Sequence, residues 1–265
     1  MKVYISADIE GVTGVTSWDE AESDKPEYIR FAEQMTREVK AACQGAIRAG
    51  ASEIWIKDAH NTARNIDPRE MPKNSKLVRG WSGHPFAMVQ ELDETFDAAL
   101  FIGYHSCAGS NDNPLAHTMS GKVRYIKIND KYVSEFLLNA YAAASVGVPV
   151  VFVSGDKGLC SEVKRVNNNI ITLGVKDGIG GSTINMNPDL AVELIEKEVE
   201  KALTRDLKLG EIRLPEHFKV EICFAKHTDA FKASFYPGMK EMSSNSVLYE
   251  SDNYFDVLTM ISFVV

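Results

Sequence analysis

Apolar and polar positions alternate along this chain in the rhythm of a βα protein. Residues 2–8 are an apolar run that ends on Asp8, with Glu10 and Gly11 close behind. The stretch 17–25 is acidic and polar and reads as a loop. From Pro26 onward Ile29, Ala32, Met35, Val39, Ala42, Cys43 and Ala46 recur at helical spacing. Ser23 or Asp24 offers a cap for this helix, proline suits its first turn, and Gly50 ends it. Residues 53–58 (EIWIKD) are a second strand. Strand, helix and strand make a βαβ unit, with parallel strands and a right-handed crossover.

The rhythm continues with a polar loop at 61–73, a short strand at 76–79 and a short helix at 85–92. The run AALFIG at 98–103 has no polar position, the pattern of a strand buried on both faces. A loop rich in Ser, Asn, Gly and Pro follows at 104–116. Strands at 123–128 and 132–134 flank the turn Asn129-Asp130 and form a hairpin. The helix at 135–145 turns Phe136, Leu137, Ala140, Tyr141 and Ala144 inward. A buried strand at 148–154, a helix from Gly155-Asp156 to Val166 and a strand at 170–175 come next. Residues 178–182 are glycine-rich, lack the lysine of a phosphate cradle, and read as a plain loop. The helix at 189–203 buries Leu190, Leu194, Ile195, Val199 and Ala202 and solvates a Glu/Lys face. Beyond Pro215 lie strands at 219–225 and 246–250 and a closing helix at 252–263.

This pattern predicts an α/β fold, a mostly parallel sheet flanked by helices, with a smaller C-terminal α+β portion. Residues 1–210 form the domain that carries the site, and 211–265 the C-terminal portion, free-standing or packed on the same core. The apolar end Ile261–Val265 is expected against the domain or a neighbouring subunit.

Composition narrows the function. Apolar residues make up 45% and charged residues 25% of the 265, the balance of a globular protein with an adequate core. A net charge of -8 argues against nucleic acid or an anionic membrane as partner, since both require basic patches. Cys43, Cys107, Cys160 and Cys223 form no CxxC pair and read as reduced thiols. Met1 leads straight into a strand with no signal-type segment, and no stretch approaches the roughly 18 apolar residues of a membrane helix. The expected location is the cytoplasm.

Sites in open parallel sheets form at the carboxyl ends of strands. The first strand ends in Asp8 and Glu10, the second in Asp58 with His60 just beyond, and the 98–103 strand leads to His105. Each residue alone has an ordinary role: a turn cap, a hydrogen-bonded loop histidine, a carboxylate on backbone amides. Gathered at one edge, the acids raise one another's pKa and destabilise the fold unless a cation neutralises them. Asp, Glu and His suit zinc or manganese. Asp8, Glu10, His60 and His105 exceed the three protein ligands of one catalytic zinc. The excess points to two metals about 3.5–4 Å apart, with Asp8 as the shared carboxylate. The chain has no HExxH helix, GxSxG elbow or Walker A loop.

Several blocks in order resemble the zinc-dependent D-aminopeptidase family of bacterial dipeptide-transport operons. Ser6-Ala7-Asp8-Ile9-Glu10-Gly11 is similar to its SxDxEG signature, and Lys57-Asp58-Ala59-His60 to its second block. Gly103-Tyr104-His105, Ala116-His117-Thr118-Met119, and Asn129 with Glu135 and Leu138-Asn139-Ala140 resemble the next three. Ser154-Gly155-Asp156 and Val175-Lys176 also fit in order. The resemblance implies metal ligands at Asp8, Glu10, His60, His105 and Glu135, and His117 as the catalytic residue. Three carboxylates and two neutral imidazoles facing two divalent cations leave one net positive charge, which a hydroxide cancels. Cys107, Ser134 and Lys157 depart from the family pattern.

The expected activity is that of a dinuclear-zinc aminopeptidase releasing the N-terminal residue of short peptides, possibly D-residues, with Mn2+ or Co2+ as other candidate ions. His117 would move a proton or stabilise the oxyanion, and a metal or an acid such as Asp156 could hold the substrate amine. The resemblance further implies a homodecamer of two stacked five-membered rings. Another dizinc hydrolase, an amidase or phosphoesterase, and a non-catalytic peptide-binding protein with structural metals are the alternatives.

Overall fold

The first strand, β1 (Lys2–Ala7), is buried along all but its first residue and lies between two parallel neighbours. A computed structural model describes residues 1–265. After β1 the chain makes a 3-10 turn at Trp18–Glu20, then α1 (Tyr28–Arg48), β2 (Glu53–Asp58), β3 (Ser75–Val78) and β4 (Ala98–Tyr104). It leaves the sheet for the hairpin β5 (Val123–Ile128) and β6 (Lys131–Tyr132), and returns through α2 (Glu135–Ser145) to β7 (Val150–Asp156). Next come α3 (Lys157–Val166), β8 (Ile171–Ile179), β9 (Ser182–Asn185) and α4 (Pro188–Leu203). The remainder supplies β10 (Phe218–Phe224), α5 (His227–Ala233), β11 (Lys240–Glu241), β12 (Ser246–Ser251) and α6 (Tyr254–Val264).

Seven strands form one sheet in the order β3-β2-β1-β4-β7-β8-β9, parallel except for β9. The fold is thus α/β with a mostly parallel sheet flanked by helices. Alternation along β1 serves two cores. Val3, Ile5 and Ala7 share one apolar cluster with Met35 and Val39 of α1 and Ile195 and Val199 of α4. Tyr4 belongs to the other, with Phe136 of α2, Phe218 and Val220 of β10 and Tyr254 of α6. Each Val, Ile, Met or Phe side chain among these contributes about 1.5–3 kcal/mol when fully buried. α2 is apolar almost all round because it is covered on both sides: Phe136 meets Phe101, and Tyr254 Oη donates to the carbonyl of Leu138 at 2.7 Å.

The C-terminal strands are antiparallel and complete a second sheet, β11-β12-β10-β5-β6, in which β10 pairs with β5 of the 123–132 hairpin. Asn129 and Asp130 both take positive φ, as a tight two-residue hairpin turn requires.

Several elements differ from the sequence expectation. α1 starts at Tyr28 without a side-chain cap from Ser23 or Asp24, and Ile29 is exposed. The expected helix at 85–92 is a single 3-10 turn at Ala87–Val89. The 178–182 loop is the turn of the β8–β9 hairpin, whose second strand carries no apolar alternation that would reveal it. Leu190 points outward, because Asn187 caps α4 and sets its first turn so that Ala191 faces in.

β4 must approach the end of β1 closely to hold the site. The amide of Asp8 donates to Ile102 and that of Gly11 to Gly103, at 2.9 and 2.8 Å. Gly103 has φ +68, and a Cβ there would run into the Asp8 carbonyl. Gly103→Ala therefore costs about 1–3 kcal/mol and displaces Asp8. Thermal unfolding should show a lower Tm for Gly103→Ala and no change for Gly181→Ala, where a Cβ meets open space.

Candidate metal centre

β1 runs out at Ala7, paired with Asp58 on one side and Ile102 on the other. Asp8 follows at once, and the two neighbouring strands bring His60 and His105 to the same edge. Glu135 arrives separately, as the first residue of α2, where Ser134 caps the helix by accepting the Leu137 amide. A carboxylate there sits at the positive end of the helix dipole. Asp8, Glu10, His60, His105 and Glu135 are all buried, and His117 from the β4–β5 loop is mostly so.

The two oxygens of Asp8 face different imidazoles. Oδ1 lies 3.3 Å from Nδ1 of His60, and Oδ2 lies 3.6 Å from Nε2 of His105. Glu10 Oε2 is 3.1 Å from His60 Nδ1, and Glu135 Oε2 is 3.4 Å from His105 Nε2. Two donor sets result, Asp8 with Glu10 and His60, and Asp8 with His105 and Glu135. Within each, the donor atoms lie within 4.8 Å of one another, close enough to converge on one ion. His117 forms a third set with Glu10 and His105, its Nε2 3.4 Å from Glu135 Oε1. That set reuses Glu10 and His105, so two ions can be held without His117.

Second nitrogens decide what the rings can do. His60 Nε2–H donates to the Ala21 carbonyl at 2.8 Å, and His105 Nδ1–H to Ser106 at 2.9 Å. His117 Nδ1–H donates to Leu115 at 2.9 Å. A carbonyl only accepts, so in each neutral ring the other nitrogen carries a lone pair. All three lone pairs face carboxylate oxygens. Buried lone pairs opposed in this way repel unless a cation lies between them. His105 Nε2 and Glu10 Oε2 are buried with no hydrogen-bond partner. Orphaned atoms and an Asp/Glu/His donor set both fit divalent metal, zinc included.

Protons answer the same charge deficit. Burial pushes the His60 and His105 pKa down, but the facing carboxylates outweigh it, led by Glu10 for His60 and Glu135 for His105. His60 ends well above its usual range and His105 at about 10. Burial and the charge of Glu10 raise Asp8 well above the carboxylate range. Burial also opposes ionisation of Glu135, yet His117 and His105 hold it at about 2. Glu10 is lowered too, by His60, His105 and His117 against its burial. Asp8 and Glu10 thus shift in opposite directions. Asp8 is central and feels both other acids, while Glu10 faces three rings.

Other candidate residues prove to be supports. Asp58 accepts from the amides of Asn65 and Ile66 at 2.6 and 2.8 Å, and so folds the loop behind His60. Asp156 is fully buried and its oxygens are taken by Ser106, Asn113 and Leu159. It cannot meet a substrate amine, which corrects that expectation. Burial raises the Cys107 thiol to about 11, so it stays protonated. Lys157 points away to Asp177. Lys176 is a further support: its buried Nζ donates to the carbonyls of Glu10 and Val15.

A cleft of about 840 Å³ opens over the cluster. Its wall includes Trp18, Glu22, Trp81, His84 and Phe263, and has no lysine or arginine side chain. Sequence reasoning missed this wall. The available signal was two tryptophans in otherwise polar loops.

The profile of the peptidase M55 family, described as D-aminopeptidase, matches residues 1–263. A D-aminopeptidase of Bacillus subtilis (strain 168) is 34% identical over 239 residues, 90% of this chain and 86% of that protein. The chain belongs to the D-aminopeptidase family. A solved structure of zinc-dependent D-aminopeptidase DppA from Bacillus subtilis, described as a self-compartmentalizing protease, superposes with a TM-score of 0.93. It is 30% identical, and the match covers 98% of this chain and 95% of that one. The chain is therefore a peptidase of the D-aminopeptidase family.

The raised pKa values set a sign. His60, His105 and Asp8 bind more protons folded than unfolded, so the metal-free peptidase loses stability as pH rises. For His105 the loss runs from its ordinary 6.5 up through about 10. The depressed Glu135 acts on the acid side, its contribution present above 4.5 and lost as pH falls through about 2. Metal-free protein should show a Tm that falls between pH 6.5 and 10, while zinc-loaded protein holds its Tm across the same window. A flat metal-free profile contradicts this reading.

Proposed function

We propose that the chain binds two zinc ions and is an aminopeptidase that removes the N-terminal residue of short peptides. Asp8, Glu10 and His60 hold one ion, and Asp8, His105 and Glu135 the other. The observation that carries this reading is the pair of Asp8 oxygens, each facing a different imidazole. Zinc dependence of the similar DppA structure supports the choice of metal. Manganese and cobalt suit the same donors.

Bound zinc supplies Lewis acidity, which polarises a carbonyl and acidifies water. The chain supplies the rest. Asp8, Glu10 and Glu135 set the charge and position of the ions. His117 presents its Nε2 lone pair to the cleft, since Nδ1–H is committed to Leu115. It accepts the proton of the attacking water there and returns it to the leaving amine. Stacking on His105, 4.4 Å between ring centres, and the nearby Trp18 hold the ring in place. Burial of the cluster keeps bulk water away and strengthens each of these interactions.

The relatives support a reading of substrate class and assembly. Both are named D-aminopeptidases, which supports peptides with an N-terminal D-residue. The description of DppA as self-compartmentalizing supports a homo-oligomer here, with two stacked five-membered rings as the expected form. A site facing an inner channel would select short peptides by access. No helix is long and apolar enough to cross a membrane, and the four cysteines are free, in keeping with a cytoplasmic location. A cleft wall without Lys or Arg argues against a phosphoesterase.

The test is a screen of metal-free protein, before and after zinc reconstitution, on paired D- and L-alanine dipeptides and on p-nitrophenyl phosphate. Zinc-dependent dipeptide hydrolysis is expected, favouring the D-series. His117→Ala should lower kcat by about 10²–10⁴-fold with zinc retained. Turnover of the phosphate ester alone, or dipeptide binding without hydrolysis, contradicts the reading.

A further inference from the structure

An aminopeptidase must recognise a free α-ammonium group, and the expected acid for that task, Asp156, is sealed in the interior. Four acidic side chains line the cleft: Asp8, Glu10, Glu135 and Glu22. The first three belong to the metal cluster. Glu22 stands outside it, on the segment that follows the 3-10 turn at Trp18–Glu20. The other acids of that segment are occupied. Glu20 accepts from the amides of Thr16 and Ser17, at 2.6 and 3.0 Å, and Asp19 lies 3.5 Å from Lys25. No basic side chain comes within 4.0 Å of the Glu22 carboxylate, although it is partly buried in the cleft wall.

Backbone contacts fix where Glu22 stands relative to the chemistry. The carbonyl of its neighbour Ala21 takes the His60 Nε2–H at 2.8 Å. The Glu22 amide donates to the Trp18 carbonyl at 2.9 Å, closing a turn between the two residues, both of which line the cleft. The Trp18 ring centre is 5.5 Å from that of His117, and the indole stays 42% exposed. An indole face beside an unpaired carboxylate is a good receptor for an ammonium ion. The absence of Lys and Arg from the lining leaves nothing to compete for that carboxylate.

We propose that Glu22, with the Trp18 indole beside it, binds the α-ammonium group of the substrate and so restricts the enzyme to free peptide N-termini. The inference rests on the peptidase reading above. The subsite excludes peptides whose N-terminus is acylated, because a neutral amide forms no ion pair with Glu22.

The test uses zinc-loaded protein and two probes, alanine p-nitroanilide in the enantiomer the wild type prefers and the matching lactic acid p-nitroanilide, which carries hydroxyl in place of ammonium. Wild type should prefer the amine. Glu22→Gln should raise KM for the amine probe about ten- to a hundredfold, with kcat within about threefold, and collapse the preference for amine over hydroxyl. Glu22→Asp should recover part of the preference, and Trp18→Leu should raise KM about three- to tenfold. Zinc content and Tm should match the wild type in Glu22→Gln. If that variant keeps wild-type KM and preference, the amine is held elsewhere and the proposal falls while the peptidase reading stands. Loss of zinc or of Tm in the variant makes Glu22 structural and also overturns it. A wild type that hydrolyses the amine and hydroxyl probes equally well has no ammonium subsite, which overturns the proposal while the peptidase reading stands.

Discussion

At the carboxyl edge of the sheet, buried carboxylate oxygens face imidazole nitrogens that have no proton to offer them. Each ring has already given its N–H to a backbone carbonyl. An arrangement of this kind is unstable without positive charge at its centre. Protons meet the need in the metal-free chain, and divalent ions meet it without raising any pKa. The remaining features of the fold near the site are ways of holding these groups against their mutual repulsion.

Rigid backbone does most of that holding. Gly103 lets β4 lie against the end of β1, so that Asp8 and His105 share one edge. The Glu10 carbonyl accepts from both Lys176 and Asn113, which pins the backbone of Glu10. Burial lowers the Lys176 ammonium to about 8, despite the acids around it. Asp58 ties down the loop that carries His60. Met119 donates its amide to Glu135 Oε1 at 2.7 Å, which orients the one ligand candidate that comes from a helix rather than a strand end. Groups fixed in this way need little reorganisation when an ion or a transition state arrives.

Much of this was legible in the sequence, for physical reasons. Buried parallel strands open on apolar runs, AALFIG in β4 and VVFV in β7, and their carboxyl ends can be counted off directly. Asp8, Glu10, His60 and His105 were therefore reachable by topology alone. Glu135 was reachable only through the family resemblance, since nothing in a helix start says which strand edge it will face. Asp156 is named as an amine-binding acid by its residue type, but an acid ahead of a helix can cap it, and here Asp156 caps α3. Glu22 and Trp18 were invisible, as their loop has no period to read. The pairing of the C-terminal strands with the 123–132 hairpin was likewise hidden, because register between distant antiparallel strands leaves no local signal.

Zinc-edge anomalous diffraction from crystals of the zinc-loaded protein tests the central claim most directly. The account predicts two peaks about 3.5–4 Å apart, one near His60 and one near His105, with an oxygen of Asp8 on each. A single peak, or two peaks that do not share Asp8, would contradict it.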